Sequence, residues 1–459
     1  MSASPLSASE RRALALAALA VLLTRLPWIR SGYGSDPDGY RVASTARQLA
    51  RTGEYTASRF PGYPAYEYLC ALSANAPPWV SNAVTAVLSV AAFVCFALIL
   101  RELRVRAYRL LALGFAMVPV IYLNSCCTMD YIPSLAFMLA ASYGVLRGSP
   151  ALAGAMLGLA IGCRLTASAL ALPLCLWMLL SLDLRSALRQ CLKFGGSALL
   201  VTVLCFAPVY RVYGMQFLTF FDNDGYPPFD VVLSRATTLV WGAFGCIALV
   251  GVLIALPIYH REARRALQQP FARNALLVAL LTVLLYLIAF LRLPDEPGYL
   301  VPLVPWVIVM VALLMPSRVA SLFALALLVS PWIAFDHLRP TLDGAILEDH
   351  QVRRSQQLET LAVIDAVKRL PGRAAIVCGW VLPRITLALG GDRLGEHEFI
   401  YLVEDDGDYR HYLAEGRQIY YLPGVDLYES QAHQLELAEL GAQLLQVPRE
   451  RQRPASTGE

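Results

Sequence analysis

The chain has 459 residues, of which 57% are hydrophobic and only 16% are charged, whereas soluble domains carry about a quarter charged residues. Long apolar runs and a formal net charge of only +4 exclude a disordered chain, a nucleic-acid-binding protein and a small disulfide scaffold. The ten cysteines form no Cys-x-x-Cys pair and mostly lie in apolar runs, so they are predicted to pack as small hydrophobic side chains.

Residues 1–335 are predicted to form a transmembrane domain of about eleven helices, with the N-terminus in the cytoplasm. Runs long enough to cross a bilayer are Ala13–Ile29, Val80–Leu100, Tyr108–Leu123, Tyr131–Leu146, Leu165–Leu182, Phe194–Tyr210, Ala236–Tyr259, Ala275–Leu291, Gly298–Met315 and Val319–Phe335. The shorter run Ala151–Cys163 is counted as a further span. With it, the basic clusters at 185–193 and 261–273 lie on the cytoplasmic side, as the positive-inside rule requires.

In this orientation, the acids and arginines that could carry chemistry gather at helix ends on the outer side of the membrane. The sequence therefore predicts a functional site on the outer face of a bacterial plasma membrane. The alternative is that outer loops are simply less basic than inner ones. That alternative explains the scarcity of arginine outside, but not the repeated acids at helix ends.

Residues 336–447 are predicted to form a small α/β domain on the periplasmic side, and residues 448–459 a disordered tail. Helical spacing covers Gln357–Leu370, and strand-like runs follow at Ala374–Cys378, Phe399–Val403 and Gln418–Leu422. Further helices are predicted around Leu382–Leu389, Asp408–Glu415 and Gln431–Leu445. The predicted fold class is a polytopic α-helical membrane protein with a small C-terminal α/β exoplasmic domain.

The first outer loop, residues 30–79, is the most informative segment. Asp36-Pro37-Asp38 directly precedes an amphipathic helix that starts near Tyr40 and ends at Gly53, and such a helix suits the membrane interface. A helix N-terminus favours the ionised form of a carboxylate, which fits a general base or a metal ligand. The alternative is that Asp36 or Asp38 only caps the helix, with proline just inside it.

Three motifs resemble those of the GT-C superfamily of membrane glycosyltransferases, which includes protein O-mannosyltransferases, lipid A aminoarabinose transferases and oligosaccharyltransferase catalytic subunits. The motifs are Asp36 with Tyr40, Gly53 and Tyr55 followed by Arg59-Phe60-Pro61-Gly62-Tyr63-Pro64; the short-helix pair Gly158–Pro173; and the late loop Leu293–Pro305. Many O-mannosyl members have Asp-Glu at the first motif. The Asp-Pro found here is closer to the oligosaccharyltransferase pattern, which uses a divalent metal.

The resemblance implies an inverting glycosyltransferase that moves a sugar from a polyprenyl-phosphate carrier among the membrane lipids to a hydroxyl of a glycan, lipid or protein acceptor. Asp36 is then the expected general base, and Asp38 is expected to orient it or to bind metal. Asp130, in the second outer loop, is a candidate to complete a Mg²⁺ or Mn²⁺ site with Asp36 or Asp38.

Six further residues are predicted to contact substrate. Candidates for holding the departing phosphate are Arg164, Arg292 and Arg59, and candidates for contacting sugar or acceptor are Tyr40, Glu296 and Tyr299. For Arg164 and Arg292 the alternative is a snorkelling side chain at a helix end. For Asp222-Asn223-Asp224-Gly225 the alternatives are a simple turn and a mobile acceptor-binding loop.

Two other functions fit some of the same features: a transporter or flippase of lipid-linked intermediates, and a non-catalytic cell-envelope assembly factor. A transporter needs polar groups along a route through the membrane, whereas the predicted spans are almost free of charge. The enzyme hypothesis is therefore preferred.

Overall fold

A computed structural model describes residues 6–218, 226–336, 339–401, 409–422 and 441–447 of the chain. Up to residue 329 these residues are mostly helical, with short 3-10 segments between some helices. The helices are α1 Ala8–Arg25, α2 Pro37–Thr52, α3 Pro64–Ala71, α4 Pro78–Glu102, α5 Tyr108–Ala116, α6 Pro119–Asn124, α7 Tyr131–Leu146, α8 Pro150–Cys163, α9 Ala171–Ser181, α10 Leu184–Tyr213, α11 Phe229–Ala236, α12 Thr238–Ile258, α13 His260–Gln268, α14 Pro270–Arg292, α15 Val304–Leu314 and α16 Ser317–Val329.

Each predicted span coincides with a helix or with a pair of helices. Five units in the described part of the chain are long and apolar enough to cross a membrane: Pro78–Glu102, Leu184–Leu218, Thr238–Ile258, Pro270–Arg292 and Pro297–Leu314. Shorter apolar helices are Tyr131–Leu146, Pro150–Cys163, Leu165–Ser181 and Ser317–Val329. With α1 and the α5–α6 pair, these units make the chain a polytopic α-helical membrane protein.

Three predicted spans differ from the helices that form. The run Val319–Phe335 is helical only to Val329 and ends in the strand Ala334–Asp336. The run Tyr108–Leu123 is two helices, because Pro119 has no backbone N–H to continue α5 and instead opens α6. The run Ala13–Ile29 is helical only as far as Arg25. That side chain is fully buried and donates a hydrogen bond to the backbone oxygen of Ala116, at the end of α5, so it satisfies a carbonyl that the break leaves open.

Helix α8 packs closely against α10 through its glycines. A β-carbon added to Gly154 would lie 2.1 Å from the backbone oxygen of Phe194, and one added to Gly158 would lie 2.6 Å from the β-carbon of Val201. Small residues let the two helix backbones approach each other, and α8 also packs against α7 and α3. This packing fixes the end of α8, where Arg164 follows in an extended conformation.

The residues after α16 form the C-terminal region, which contains a five-stranded sheet. Its strand order is β4-β5-β3-β6-β7, with β3 parallel to both β5 and β6, so the predicted α/β character with parallel pairing is confirmed. The elements are β1 Ala334–Asp336, β2 Arg339–Thr341, α17 Ala345–Val367, β3 Ala374–Val377, α18 Leu382–Leu389, β4 Arg393–Leu394, β5 His397–Ile400, α19 Arg410–Ala414, β6 Gln418–Tyr421 and β7 Gln443–Leu444.

The predicted helix Gln431–Leu445 is wrong at its described end. Gln443–Leu444 is strand β7, which pairs in parallel with β6, and pairing at a sheet edge outweighs a local helical pattern. The rest of that predicted helix lies outside the described residues. The acidic string at 222–225 and the predicted tail at 448–459 also lie outside them.

Helix α2 is covered by protein, and this corrects its predicted position at the membrane interface. Ala46 packs with Tyr66 of α3, and Ala43 packs with Leu387 of α18. The apolar face is therefore buried between the helices and the C-terminal region, because both supply apolar surface. The predicted end of α2 is confirmed: Gly53 follows the helix with a φ of 72°.

Candidate active site

Acidic and arginine side chains from five parts of the chain meet at one end of the transmembrane helices. They are Asp36 and Asp38 at the start of α2, Arg59 before α3, Asp130 before α7, Arg164 after α8, and Glu296 before the 3-10 turn Pro297–Leu303. We call these six residues the acid–arginine cluster. All six are predicted site residues.

Asp130 joins the two arginines of the cluster. It is fully buried, and its two oxygens accept hydrogen bonds from Arg59 Nη2 at 2.7 Å and from Arg164 Nη1 at 2.6 Å. Burial by itself raises the pKa of Asp130, but the charges and hydrogen bonds of Arg164 and Arg59 lower it by more, so the net pKa lies below its ordinary value. Asp130 is therefore a fixed anion that holds two guanidinium groups in place.

Three tyrosine rings surround Arg164. Its guanidinium carbon lies 4.1 Å from the ring centre of Tyr131, 4.9 Å from that of Tyr299 and 5.8 Å from that of Tyr63. The guanidinium carbon of Arg59 lies 4.1 Å from the Tyr63 ring centre. Because only 8% of Arg164 is exposed, it is part of a packed cation–π arrangement and does not snorkel.

Arg59 forms ion pairs with both Asp38 and Asp130. Its Nε lies 2.9 Å from Asp38 Oδ2, while its Nη2 reaches Asp130. Asp38 also lies 3.6 Å from Arg41 Nη1. Among the described residues, Arg59 Nη1 is buried without a hydrogen-bond partner, so this donor is available to an anionic oxygen.

Glu296 enters the cluster from late in the chain. It accepts a hydrogen bond from the hydroxyl of Tyr131, and the carboxylates of Asp36, Asp38 and Glu296 offer oxygens that all lie within 4.8 Å of one another. Glycine at position 298 permits this approach, because a β-carbon there would lie 2.5 Å from the Tyr131 ring. These three carboxylates are half-buried, so a ligand can reach them, whereas Asp130 is fully buried.

Asp36 is the N-cap of α2. Its carboxylate accepts the backbone N–H of Asp38 at 2.8 Å, and Pro37 occupies the first helical position, as the capping interpretation requires. The helix end does favour the ionised form, because the hydrogen bond from the Asp38 N–H lowers the pKa of Asp36, but other effects outweigh it. Burial, together with the charges of Glu296 and Asp38, raises the pKa of Asp36 to about 7. A carboxylate with a pKa near neutrality is suited to accept a proton in a neutral solution.

The carboxylates best spaced to hold a cation include Asp36 and Asp38 of the predicted set, with Glu296 in addition. Asp130 is less suited to this role because each of its oxygens accepts a hydrogen bond from an arginine cation. Asp36, Asp38 and Glu296 have suitable spacing instead, and carboxylate oxygens are the ligands that Mg²⁺ and Mn²⁺ prefer.

Two predicted substrate contacts lie apart from the cluster. Tyr40 is buried against Tyr33, with ring centres 5.5 Å apart, and its hydroxyl lies beside Gly32. Arg292 is exposed at the end of α14 and forms no ion pair with any described residue. It follows Ile288 by one helical turn, and Ile288 is 64% exposed, so both lie on the outer face of the helix.

Glu67 is a site-supporting residue that sequence reasoning missed. It is fully buried in α3 and accepts hydrogen bonds from the backbone N–H groups of Ser58 at 2.9 Å and Tyr63 at 3.2 Å, and from the hydroxyl of Tyr55. These bonds fix the loop that carries Arg59. The sequence signal for this role is that Glu67 is the one charged residue in helix α3.

Helix α17 supports the residue that precedes Asp36. Asp349 Oδ1 accepts a hydrogen bond from Ser35 Oγ at 2.6 Å, and Gln356 Nε2 donates to the backbone oxygen of Ser35 at 2.8 Å. Arg353 Nη2 holds Asp349 at 2.7 Å. The C-terminal region therefore helps to position Asp36, and no local sequence pattern predicts this contact.

The fold and the cluster define a polytopic membrane protein with accessible carboxylates beside the buried Arg164 and the half-buried Arg59, at one end of its helices. Two crystal structures of ArnT have a similar fold, and the predicted polytopic helical fold class is confirmed. The apo crystal structure of ArnT from Cupriavidus metallidurans matches with a TM-score of 0.58 and 13% identity, over 94% of each chain. The structure of that protein bound to undecaprenyl phosphate matches with a TM-score of 0.59 and 15% identity, over 95% of each chain.

A third solved structure is less similar to this chain. The arabinofuranosyltransferase AftD from Mycobacteria matches with 18% identity over 83% of this chain and 30% of that chain, at a TM-score of only 0.48. No protein-family model and no curated protein matches the sequence.

Proposed function

We propose that the protein is an inverting glycosyltransferase that moves a sugar from a polyprenyl-phosphate carrier to a hydroxyl acceptor on the outer face of a bacterial plasma membrane. The observation that carries the proposal is the acid–arginine cluster, with its accessible carboxylates beside the half-buried Arg59 and the buried Arg164. It occurs in a fold shared with a protein crystallised with undecaprenyl phosphate. The acceptor would be a glycan, a lipid or a protein.

On the acceptor side, Asp36 acts as the general base. The acceptor oxygen forms a bond to the anomeric carbon while its proton moves to the Asp36 carboxylate. Asp38 Oδ2 pairs with Arg59 Nε at 2.9 Å, and the backbone N–H of Asp38 orients Asp36 at 2.8 Å. The base is thus held by the first turn of a helix.

On the donor side, the bond between the anomeric carbon and the phosphate oxygen breaks, and its electron pair stays with the phosphate. Arg59 and Arg164 stabilise this added charge. Asp130 and the tyrosine rings fix both guanidinium groups before the reaction, so little reorganisation is needed. The buried Nη1 of Arg59, unpartnered among the described residues, is the donor best placed to reach a phosphate oxygen.

A divalent cation fits the same site. Asp36, Asp38 and Glu296 would hold Mg²⁺ or Mn²⁺, because their oxygens lie within 4.8 Å of one another. The pKa of Asp36 is raised first by burial and then by the negative charges of Glu296 and Asp38, which a cation would offset. When bound, the cation would supply further positive charge beside the departing phosphate.

The C-terminal region is proposed to face the periplasm and to guide the acceptor. Trp380, which is 38% exposed, stacks on Arg41 with 3.9 Å between the guanidinium carbon and the ring centre. Arg41 in turn lies beside Asp38. An acceptor that approaches Asp36 from this side would therefore meet an aromatic ring that is suited to a sugar face.

The test is transfer of radiolabelled sugar from polyprenyl-phosphate donors by the purified protein in lipid nanodiscs, with envelope glycolipids as acceptors. Asp36→Asn should reduce transfer about a hundredfold or more, the usual contribution of a general base. Glu54→Gln is the matched control, since Glu54 is exposed beyond the end of the same helix. Equal transfer by wild type and Asp36→Asn would remove Asp36 from this role, and no transfer from any donor would favour the transport hypothesis.

A further inference from the structure

A second charged site lies at the opposite end of the transmembrane helices from the acid–arginine cluster. Helix α4 starts at Pro78 and ends at Glu102, about 37 Å away at 1.5 Å per residue. A cavity of about 710 Å³ lies at this far end, between the α4–α5 connection, helix α13 and the turn that joins α15 to α16.

The cavity carries more positive than negative charge. Arg104, Arg106 and Arg265 line it, against the single acid Glu262. Within the described ranges, none of the three arginines forms an ion pair. Glu262 offsets at most one of these three charges, so the cavity keeps a positive surplus that can attract an anion.

Arg104 occupies a backbone position that usually belongs to glycine. Its φ is +59°, and the N–H of Val105 bonds back to the oxygen of Leu100 at 3.0 Å, which closes the end of α4. A non-glycine residue is disfavoured in this left-handed conformation. The backbone conformation therefore does not explain why this residue is an arginine. The positive charge that Arg104 places in the cavity offers an explanation.

The surroundings of the arginines also favour a phosphate-bearing lipid. Helices α5, α14 and α16 begin at the cavity, where Ala107 and Gln269 directly precede the first two and Ser317 starts the third. No described side chain caps any of these helices. Their open N–H groups add partial positive charge. Phe271 and Leu313 supply apolar wall beside this charge, which an acyl chain can cover.

We propose that this cavity binds the head group of an anionic phospholipid, with the phosphodiester on the arginines and the first acyl carbons on the apolar wall. Phosphate oxygens are strong acceptors for guanidinium donors, and basic pockets between membrane helices suit such head groups. A free phosphate offers the same charge but would leave the apolar wall uncovered. This site is independent of the proposed transferase activity.

The test compares the full-length protein in nanodiscs of pure phosphatidylcholine with nanodiscs of equal phosphatidylcholine and phosphatidylglycerol. Lipid that stays bound after transfer to detergent is identified by mass spectrometry. Wild type should retain phosphatidylglycerol preferentially, and Arg104→Gly should lower that preference about fivefold, the usual effect of one basic residue. Its Tm should not fall, because glycine suits the +59° φ.

A control variant and a phosphate titration distinguish binding of a lipid head group from general surface attraction and from binding of a small anion. Arg109→Gln is the matched control, because Arg109 is exposed at the same end of the helices but does not line the cavity, and it should leave the preference unchanged. Equal losses in Arg104→Gly and Arg109→Gln would overturn the proposal in favour of general surface attraction. A rise in Tm with inorganic phosphate in phosphatidylcholine nanodiscs that equals the rise with phosphatidylglycerol would overturn it in favour of a small-anion site.

Discussion

A carboxylate oxygen of Glu296 lies within 4.8 Å of one of Asp36, although the two residues come from loops at opposite ends of the transmembrane domain sequence. After burial, the charge of Glu296 is the largest cause of the rise that brings the pKa of Asp36 to about 7. Burial also raises the pKa of Glu296. A change in the charge of one group must therefore alter the titration of the other.

The first prediction concerns the pH dependence of transfer. Asp36 must be ionised to accept a proton, so kcat/KM of the wild type should fall as the pH drops below about 7. Glu296→Gln removes a negative charge beside Asp36 and should move this fall to lower pH by about one unit. The measurement is a pH profile of both proteins, with Glu54→Gln as the control. An unchanged profile in Glu296→Gln would contradict the coupling.

The second prediction concerns stability. The folded-state pKa of Asp36, about 7, lies above the ordinary 3.8, so the folded state binds this proton more tightly than the unfolded state. Between these two values, stability contributed by Asp36 decreases as pH rises. Asp36→Asn removes the ionisation and should raise Tm more at about pH 8 than at about pH 5. Thermal unfolding at the two pH values checks this, and equal changes in Tm would refute it.

The sequence could predict features that depend on local pattern. Long apolar runs mark the membrane helices, and Asp36 could be found because a turn, a proline and a helix start coincide there. The role of Asp130 was beyond reach, since its two arginine partners come from other loops and their geometry depends on tertiary packing. The same holds for Ser35, whose contacts with α17 join residues far apart in the chain.

The third prediction tests Asp130 as the anchor of the two arginines. Asp130→Asn leaves Arg59 and Arg164 buried without their shared counter-charge, and it should reduce the free energy of unfolding by about 3 kcal/mol. Asp365→Asn is the control. It also breaks an ion pair, 3.0 Å from Lys368, but there both side chains are exposed, so little change is expected. Thermal unfolding in the same detergent compares them, and similar losses in both would argue against the anchoring role.

The fourth prediction concerns the proposed cation. Mn²⁺ should raise the Tm of the wild type in a concentration-dependent manner, because a ligand that binds only the folded state stabilises it. The shift should disappear with EDTA and be smaller in Glu296→Gln, which lacks one of the three carboxylates. Glu54→Gln should respond as the wild type does. A shift of the same size in Glu296→Gln would place the metal elsewhere.

The last prediction concerns the hydrogen bonds that the two carboxylate oxygens of Glu67 accept. One accepts the N–H of Ser58, and the other accepts the N–H of Tyr63 and the hydroxyl of Tyr55. In Glu67→Gln, an amide NH₂ must replace one oxygen, so at least one N–H donor faces another donor and remains unsatisfied. A loss of about 1–3 kcal/mol in unfolding free energy is expected.

The catalytic readout distinguishes this positioning role from a purely structural one. Tyr63 lies under Arg59, so a displaced Tyr63 should raise KM for the polyprenyl-phosphate donor about tenfold, in addition to any change in Tm. Tyr55→Phe removes one hydroxyl and leaves both Glu67 oxygens in place; it should lower Tm with little effect on KM. If both variants lower Tm and neither changes KM, Glu67 stabilises the loop without positioning Arg59, and Arg59 must be positioned by Asp38 and Asp130 instead.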